Sequence, residues 1–185
     1  MSTEYFEAAC ASSRELLASI QADQLQNPTP CASWDVAALV NHMVDGQQFF
    51  AAAMAGQSPA EGQDWASGDY LAAWDEASAA SIAAFQVEGA LGNVVKMPFG
   101  DMPGAAVMGL ATNDTFTHGW DLAKATGQST DLNPELAAGI LAQTRQSIQD
   151  GFRGPDGQAP FGTEQQCAED ACAADQLAAF LGREI

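Results

Sequence analysis

The stretch "NDTFTHGWDLAKATG" (residues 113–127) holds one of only two histidines in the chain, with an acid on either side. Asp114 stands four residues before His118, and Asp121 three residues after it. On a helix, a spacing of four leaves two side chains within about 40° of each other and one turn apart, so Asp114 and His118 can converge on one point. They share a face with Val107, Ala111, Leu122 and Ala125, the stripe expected to point inward, with Asp121 near its edge. The other histidine, His42, falls on a comparable stripe with Leu39, Gly46, Phe49 and Ala53. Both histidines are therefore expected to face one interior from two different helices.

An ionised carboxylate buried without compensation costs several kcal/mol. A divalent metal removes that cost, because its ligands are deprotonated carboxylates and neutral imidazoles. Helical bundles build such sites from side chains on facing helices. The same spacing also suits a plain hydrogen-bonded Asp–His pair, and a histidine on an apolar face is commonly a satisfied core residue. Spacing leaves both readings open.

The elements that must position these residues read as helices. A first helix is expected over 4–25, capped by Ser2 or Thr3, with Phe6, Leu16, Leu17, Ile20 and Leu25 as its apolar stripe. "QNPTPCAS" breaks it. Ser33 is the expected cap of a second helix, with Asp35 near its positive end; that helix runs through Trp34, Leu39, Met43 and Phe50 and stops before Gly56. A third helix is expected over 67–87. "GNVVKMPFGDMPG" reads as an irregular crossover or short hairpin, with Val94, Val95 and Met97 extended and a turn over 99–102. Pro103 opens a fourth helix that closes at Gly127, Pro134 opens a fifth, and residues 173–182 form a short closing helix. The expected fold is all-α: a bundle of four long helices with a short extended crossover and a C-terminal helical extra, forming one domain over 1–185.

Composition narrows the function classes. A net charge of −18 repels phosphate backbones, and the six Lys and Arg are scattered, so neither nucleic acid nor an anionic membrane is an expected partner. The longest apolar run, "FFAAAMA", is too short to span a bilayer, and "MSTEYFEAAC" has no signal-peptide pattern, so cytoplasmic residence is the default expectation. Cys10, Cys31, Cys167 and Cys172 show no CxxC spacing and read as reduced, partly buried thiols. Lys96 and Arg153 fall in expected loops, where a solvated surface role and contact with an anionic ligand are both open. Trp34 and Trp120 read as core or rim aromatics.

Three segments in order, "TPCASWDVAALVNHMVDGQQFF", "MPFGDMPG" and "DTFTHGWDLAKATGQ", resemble the successive motifs of the mycothiol-dependent maleylpyruvate isomerase-like proteins of actinobacteria, within the DinB-like superfamily of metal-binding four-helix bundles. The ending "LAAFLGREI" is similar to the close of the shorter members. The resemblance spans most of the chain. It implies that His42 (in "VNHMV") with Asp114 and His118 (in "DTFTH") holds a divalent metal, zinc by the usual assignment, with nickel, iron or manganese as alternatives. In the isomerase branch the acid is a glutamate and elsewhere a histidine, so Asp114 is a shorter variant ligand, which would draw the metal nearer the helix or alter its preference. Asp121 is implied as a residue behind the ligands, orienting His118 through its other ring nitrogen; the alternative is an acid on the helix surface.

Three protein ligands leave an open position, as in catalytic zinc sites. The resemblance implies that mycothiol or another low-molecular-weight thiol uses it, as co-substrate toward a small electrophile in an S-transfer or cis–trans isomerisation. The isomerase itself carries a further C-terminal domain with no counterpart in these 185 residues, so maleylpyruvate is not the expected substrate. A non-catalytic metal-binding bundle, a metal-dependent hydrolase and a metal-free interaction protein are the competing readings. Related bundles often dimerise, which leaves a homodimer open.

Overall fold

Short acceptor side chains decide where three of the helices begin. The computed structural model describes residues 3–155 and 158–185, and among them are six α-helices: α1 (Thr3–Ala18), α2 (Val36–Met54), α3 (Tyr70–Gln86), α4 (Gly104–Thr126), α5 (Pro134–Ser147) and α6 (Ala173–Phe180). Asp35 caps α2 by accepting from the Ala38 amide at 2.8 Å, Asp69 caps α3 through the Ala72 amide at 3.0 Å, and Asn133 caps α5 through the Leu136 amide at 3.2 Å. The expected cap of α2 was Ser33, two residues early. Asp35 displaces it, so Trp34 lies before the helix rather than within it. Likewise α3 starts at Tyr70 rather than at 67, and Trp65–Ser67 forms a separate 3-10 turn.

The first helix is shorter than its apolar stripe predicts. Its last turn tightens into bonds from the Ser19 amide to Leu16 O and the Ile20 amide to Leu17 O, while the Ser19 hydroxyl donates back to Glu15 O at 3.0 Å. Gln21 and Gln24 then cap each other reciprocally to open the 3-10 turn Ala22–Gln24. Local side-chain bonding outcompetes helix continuation, although Leu25 still packs on the core. Thr3 already lies inside α1, and Ser2 lies outside the described residues.

The crossover is a minimal hairpin: β1 (Val94–Val95) pairs antiparallel with β2 (Met102–Pro103), Val94 opposite Pro103. Pro103 caps α4 and Gly104 is its first residue. Glycine is required there, because a Cβ would collide with the carbonyl of Ala90. Gly127, at φ 70°, ends α4 in the left-handed conformation.

The four long helices pack in the cyclic order α1–α3–α2–α4. Phe6, Leu17, Leu39, Met43, Trp74, Phe85 and Val107 fill the space between them. A second apolar cluster lies on the opposite side of α4, where Phe116 and Trp120 meet Leu136 and Ile140 of α5 and Leu177 and Phe180 of α6. Covered on both sides, α4 buries most of its residues, and this is the helix that carries Asp114, His118 and Asp121. No helix among the described residues is long and apolar enough to cross a membrane.

Candidate metal centre

One buried polar contact joins α2 to α4, and a second ties the same glutamine to α3. Gln47 Nε2 donates to Thr115 Oγ1 at 2.7 Å, and Gln47 Oε1 accepts from Ser81 Oγ of α3 at 2.6 Å. Gln47 is five residues beyond His42 and Thr115 is next to Asp114, so this network fixes how the two helices present those side chains. Opposite, Ser13 Oγ of α1 donates to Thr115 O at 3.1 Å. The absence of a side chain at Gly119 permits that approach, since a Cβ would sit 2.9 Å from the same hydroxyl.

The result brings His42, Asp114 and His118 to one point. Asp114 Oδ1 lies 3.7 Å from His42 Nε2 and 3.6 Å from His118 Nε2, and one donor atom from each residue falls within 4.8 Å of the others. These separations are too long for hydrogen bonds. The His42 side chain is 34% exposed, yet its Nε2 is turned inward, buried and without a hydrogen-bond partner among the described residues. A buried imidazole nitrogen left orphaned is costly unless something else occupies its lone pair. Two imidazole nitrogens and a carboxylate oxygen around one space form a donor set suited to zinc and neighbouring divalent metals.

Asp121 lies behind this group, fully buried rather than at the rim, because α6 and the residues after it cover that edge of α4. Its Oδ2 is 3.0 Å from His118 Nδ1. With Nδ1–H donated to Asp121, the lone pair of neutral His118 is at Nε2, facing Asp114; this tautomer follows from the hydrogen-bond network. Two further residues meet Asp121. Arg183 places Nε 3.1 Å from Oδ1 and Nη2 3.0 Å from Oδ2, and the Cys31 thiol lies 3.4 Å from Oδ2. Cys31, His118 and Asp121 also cluster closely enough to hold a cation, but the Arg183 guanidinium already supplies the positive charge there.

Cys31 and Trp34 come from the strap between α1 and α2. The strap folds back on itself, with the Thr29 amide bonding Trp34 O and the Trp34 amide bonding Cys31 O, and Asn27 Nδ2 pins it to Ala125 O of α4. Trp34 thereby lies against both imidazoles, its ring centroid 4.5 Å from that of His42 and 5.6 Å from that of His118. Reading the sequence assigned neither Cys31 nor Arg183 to the site. Both stand in segments it singled out, "TPCASW" and "LAAFLGREI", but nothing in their spacing points at Asp121.

Other singled-out residues lie elsewhere. Lys96 is exposed on the hairpin. Arg153 donates to the carbonyls of Gly162 and Phe180 at 2.9 and 2.7 Å and stacks on the Phe180 ring, so it serves the C-terminus of α6 rather than an anionic ligand. Trp120 is buried and donates to Asp175 at 2.8 Å. All four cysteines are free, and burial pushes the Cys10 thiol up to about 12.

The charges at the centre shift one another strongly. Burial alone would lower the His118 pKa, but the carboxylates of Asp114 and Asp121 outweigh it and push it up to about 10. Burial would raise Asp121, but His118 and Arg183 hold it down at about 2. Asp114 is also lowered, burial being outweighed by the charge of His118 and the nearness of His42 and Arg183. In the metal-free protein His118 is therefore an imidazolium at neutral pH. Its contribution to stability is fully present below the ordinary 6.5 and is lost as pH rises through about 10. That of Asp121 is present above 3.8 and is lost as pH falls through about 2. In EDTA the melting temperature should thus decline from neutral toward alkaline pH, and replacing His118 by Gln should flatten the decline. A melting curve that keeps its alkaline slope in His118→Gln would contradict the assignment.

Residues 6–123 match the family model of the mycothiol maleylpyruvate isomerase N-terminal domain. Two proteins described as uncharacterized, from two strains of Mycobacterium tuberculosis, are each 44% identical over 170 residues, covering 92% of this chain and 91% of theirs. Crystal structures of the mycothiol-dependent maleylpyruvate isomerase and of its histidine-to-alanine mutant superpose with a TM-score of 0.58 at 15% and 14% identity, covering 80% of this chain and 72% of theirs. At that identity the likeness establishes the fold.

Proposed function

From the premise that this chain belongs to the mycothiol maleylpyruvate isomerase N-terminal domain family, we propose that it is a divalent-metal-dependent enzyme using mycothiol or a similar low-molecular-weight thiol on a small electrophile. The observation that carries this reading is the inward-turned Nε2 of His42, without a hydrogen-bond partner among the described residues and facing the Asp114 carboxylate and His118 Nε2. His42, Asp114 and His118 would hold the ion, zinc being the first candidate by the chemistry of two nitrogens and one oxygen. When bound, the ion supplies positive charge that favours the thiolate of a thiol at neutral pH.

The chain's own residues divide the remaining work. Asp114 keeps its carboxylate ionised at neutral pH, which His118 and His42 favour. Asp121 holds the His118 ring by Nδ1, so that Nε2 and not Nδ1 faces the site. Trp34 covers the two imidazoles from the strap side and restricts water there. His42 and Asp114, each about one-third exposed (34% and 31%), mark the side from which a thiol and its electrophile would approach. S-transfer or thiol-assisted isomerisation is the reaction class. Use of such a thiol agrees with the cytoplasmic residence expected from the sequence.

The test is thiol-dependent turnover. The protein carrying about one zinc per chain, supplied with mycothiol and a panel of small α,β-unsaturated acids and alkyl halides, should consume or isomerise at least one electrophile. Stripping the metal with chelator should abolish the activity and zinc should restore it. Turnover that survives complete metal removal would refute the reading.

A further inference from the structure

We infer that Arg183 is a positioning residue of the metal centre, holding Asp121 so that Asp121 can hold His118. The inference rests on the proposed metal site and adds to it a residue outside the segment 6–123 that carries the family match. The matched segment supplies Asp121 and His118 but not the guanidinium that Asp121 faces.

The route by which Arg183 reaches the site begins at the end of α6. The Gly182 amide bonds Ala179 O and the Arg183 amide bonds Ala178 O, both at 3.0 Å, the paired pattern that closes a helix through a left-handed residue. Gly182 takes that conformation at φ 97°. It also packs backbone against backbone on Gly162, where a Cβ would lie 2.6 Å from the Gly162 carbonyl carbon. Only glycine satisfies both demands. The reversal aims Arg183 back across α4. There its Nε and Nη2 form a two-pronged contact with the two oxygens of Asp121, and Nη2 is also 3.7 Å from the Cys31 sulfur.

This geometry separates three tasks on one carboxylate. Oδ1 accepts from Arg183 Nε, while Oδ2 accepts from Arg183 Nη2 and from His118 Nδ1. A planar guanidinium in a fork fixes the plane of the carboxylate, which a single point charge does not. With that plane fixed, the direction of the Oδ2 lone pairs and hence the orientation of the His118 ring are fixed too. Carboxylates that orient ligand histidines in this way are worth about 10–100-fold in metal affinity, and here the carboxylate is itself oriented by Arg183.

The experiment compares wild type, Arg183→Lys and Arg183→Met, each confirmed as helical. Zinc affinity is measured by competition with a chromophoric chelator, and the metal-free His118 ring is followed by its Nδ1–H signal in ¹H–¹⁵N spectra. Arg183→Met should bind zinc about tenfold more weakly and its Nδ1–H signal should shift or broaden by faster exchange. Arg183→Lys, which keeps charge without the fork, should fall between, and it alone serves if the Met variant does not fold. A merely structural role would lower the melting temperature and move neither readout. Affinity equal to wild type in a folded variant, or an unchanged Nδ1–H signal, overturns the inference. If wild type itself binds no zinc, the proposed function fails, and the Nδ1–H signal alone decides the role of Arg183.

Discussion

Asp121→Ala should destabilise the protein by about 3–5 kcal/mol, the cost expected when one partner of a buried ion pair is removed and the other is left behind. Asp121 is fully buried, and three groups depend on it: the Arg183 fork, His118 Nδ1 and the Cys31 thiol. Truncation leaves a guanidinium and an imidazole without their acceptor and opens a void between α4 and the segment after α6. Asp121→Asn keeps the volume and one acceptor oxygen but loses the charge, so its loss should be smaller. Arg183→Met in the Asp121→Ala background should cost little more, because the unpaired cation is then gone. Urea denaturation of the single and double variants in EDTA measures this directly. Additive losses would mean that the two side chains do not act as a pair.

His42→Ala is expected to do the opposite: to empty the site while sparing the fold. Among the described residues His42 Nε2 makes no hydrogen bond to lose, and the ring lies on the open side of the centre. The metal-free variant should therefore stay within about 1–2 kcal/mol of wild type, the common range for a substitution that breaks no buried network. Zinc affinity should fall by about a hundredfold or more, since one of three protein ligands to a tightly held ion is gone. Elemental analysis after gel filtration should find about one zinc per chain in wild type and almost none in His42→Ala. Because Trp34 lies 4.5 Å from the His42 ring, its fluorescence should also respond to zinc in wild type and not in the variant. Full zinc occupancy in His42→Ala would remove His42 from the ligand set and with it the proposed centre.

These two variants separate what holds the centre together from what it holds. The pairing of Asp121 with His118 and Arg183 carries stability and, with it, the orientation of the His118 ring. The His42–Asp114–His118 convergence is paid for elsewhere, by the Gln47–Thr115–Ser81 network that keeps α2 and α4 in register.

How much of this could be read in advance follows the range of the interaction. The all-α fold, the four long helices and the Gly127 stop were legible, because helix propensity, caps and apolar period act over a few residues. Boundaries failed where a later acceptor took the cap, Asp35 in place of Ser33, where Asp69 started α3 at Tyr70 instead of at 67, and where Ser19 bonded back to Glu15 although an apolar stripe ran on. The closeness of Asp114 to His118 follows from a spacing of four on one helix and was legible, whereas a spacing of three put Asp121 near the same ring but left open whether it met the ring or lay on the helix surface. The approach of His42 did not follow from spacing, since it needs α2 and α4 to meet in one register of several. Only the tertiary structure brought in Cys31, 90 residues from Asp121, and Arg183, 62 residues away. Such contacts have no sequence period. They exist because α5 and α6 cover the outer side of α4, because Gly182 turns the chain back, and because a carboxylate buried by that cover must find a cation.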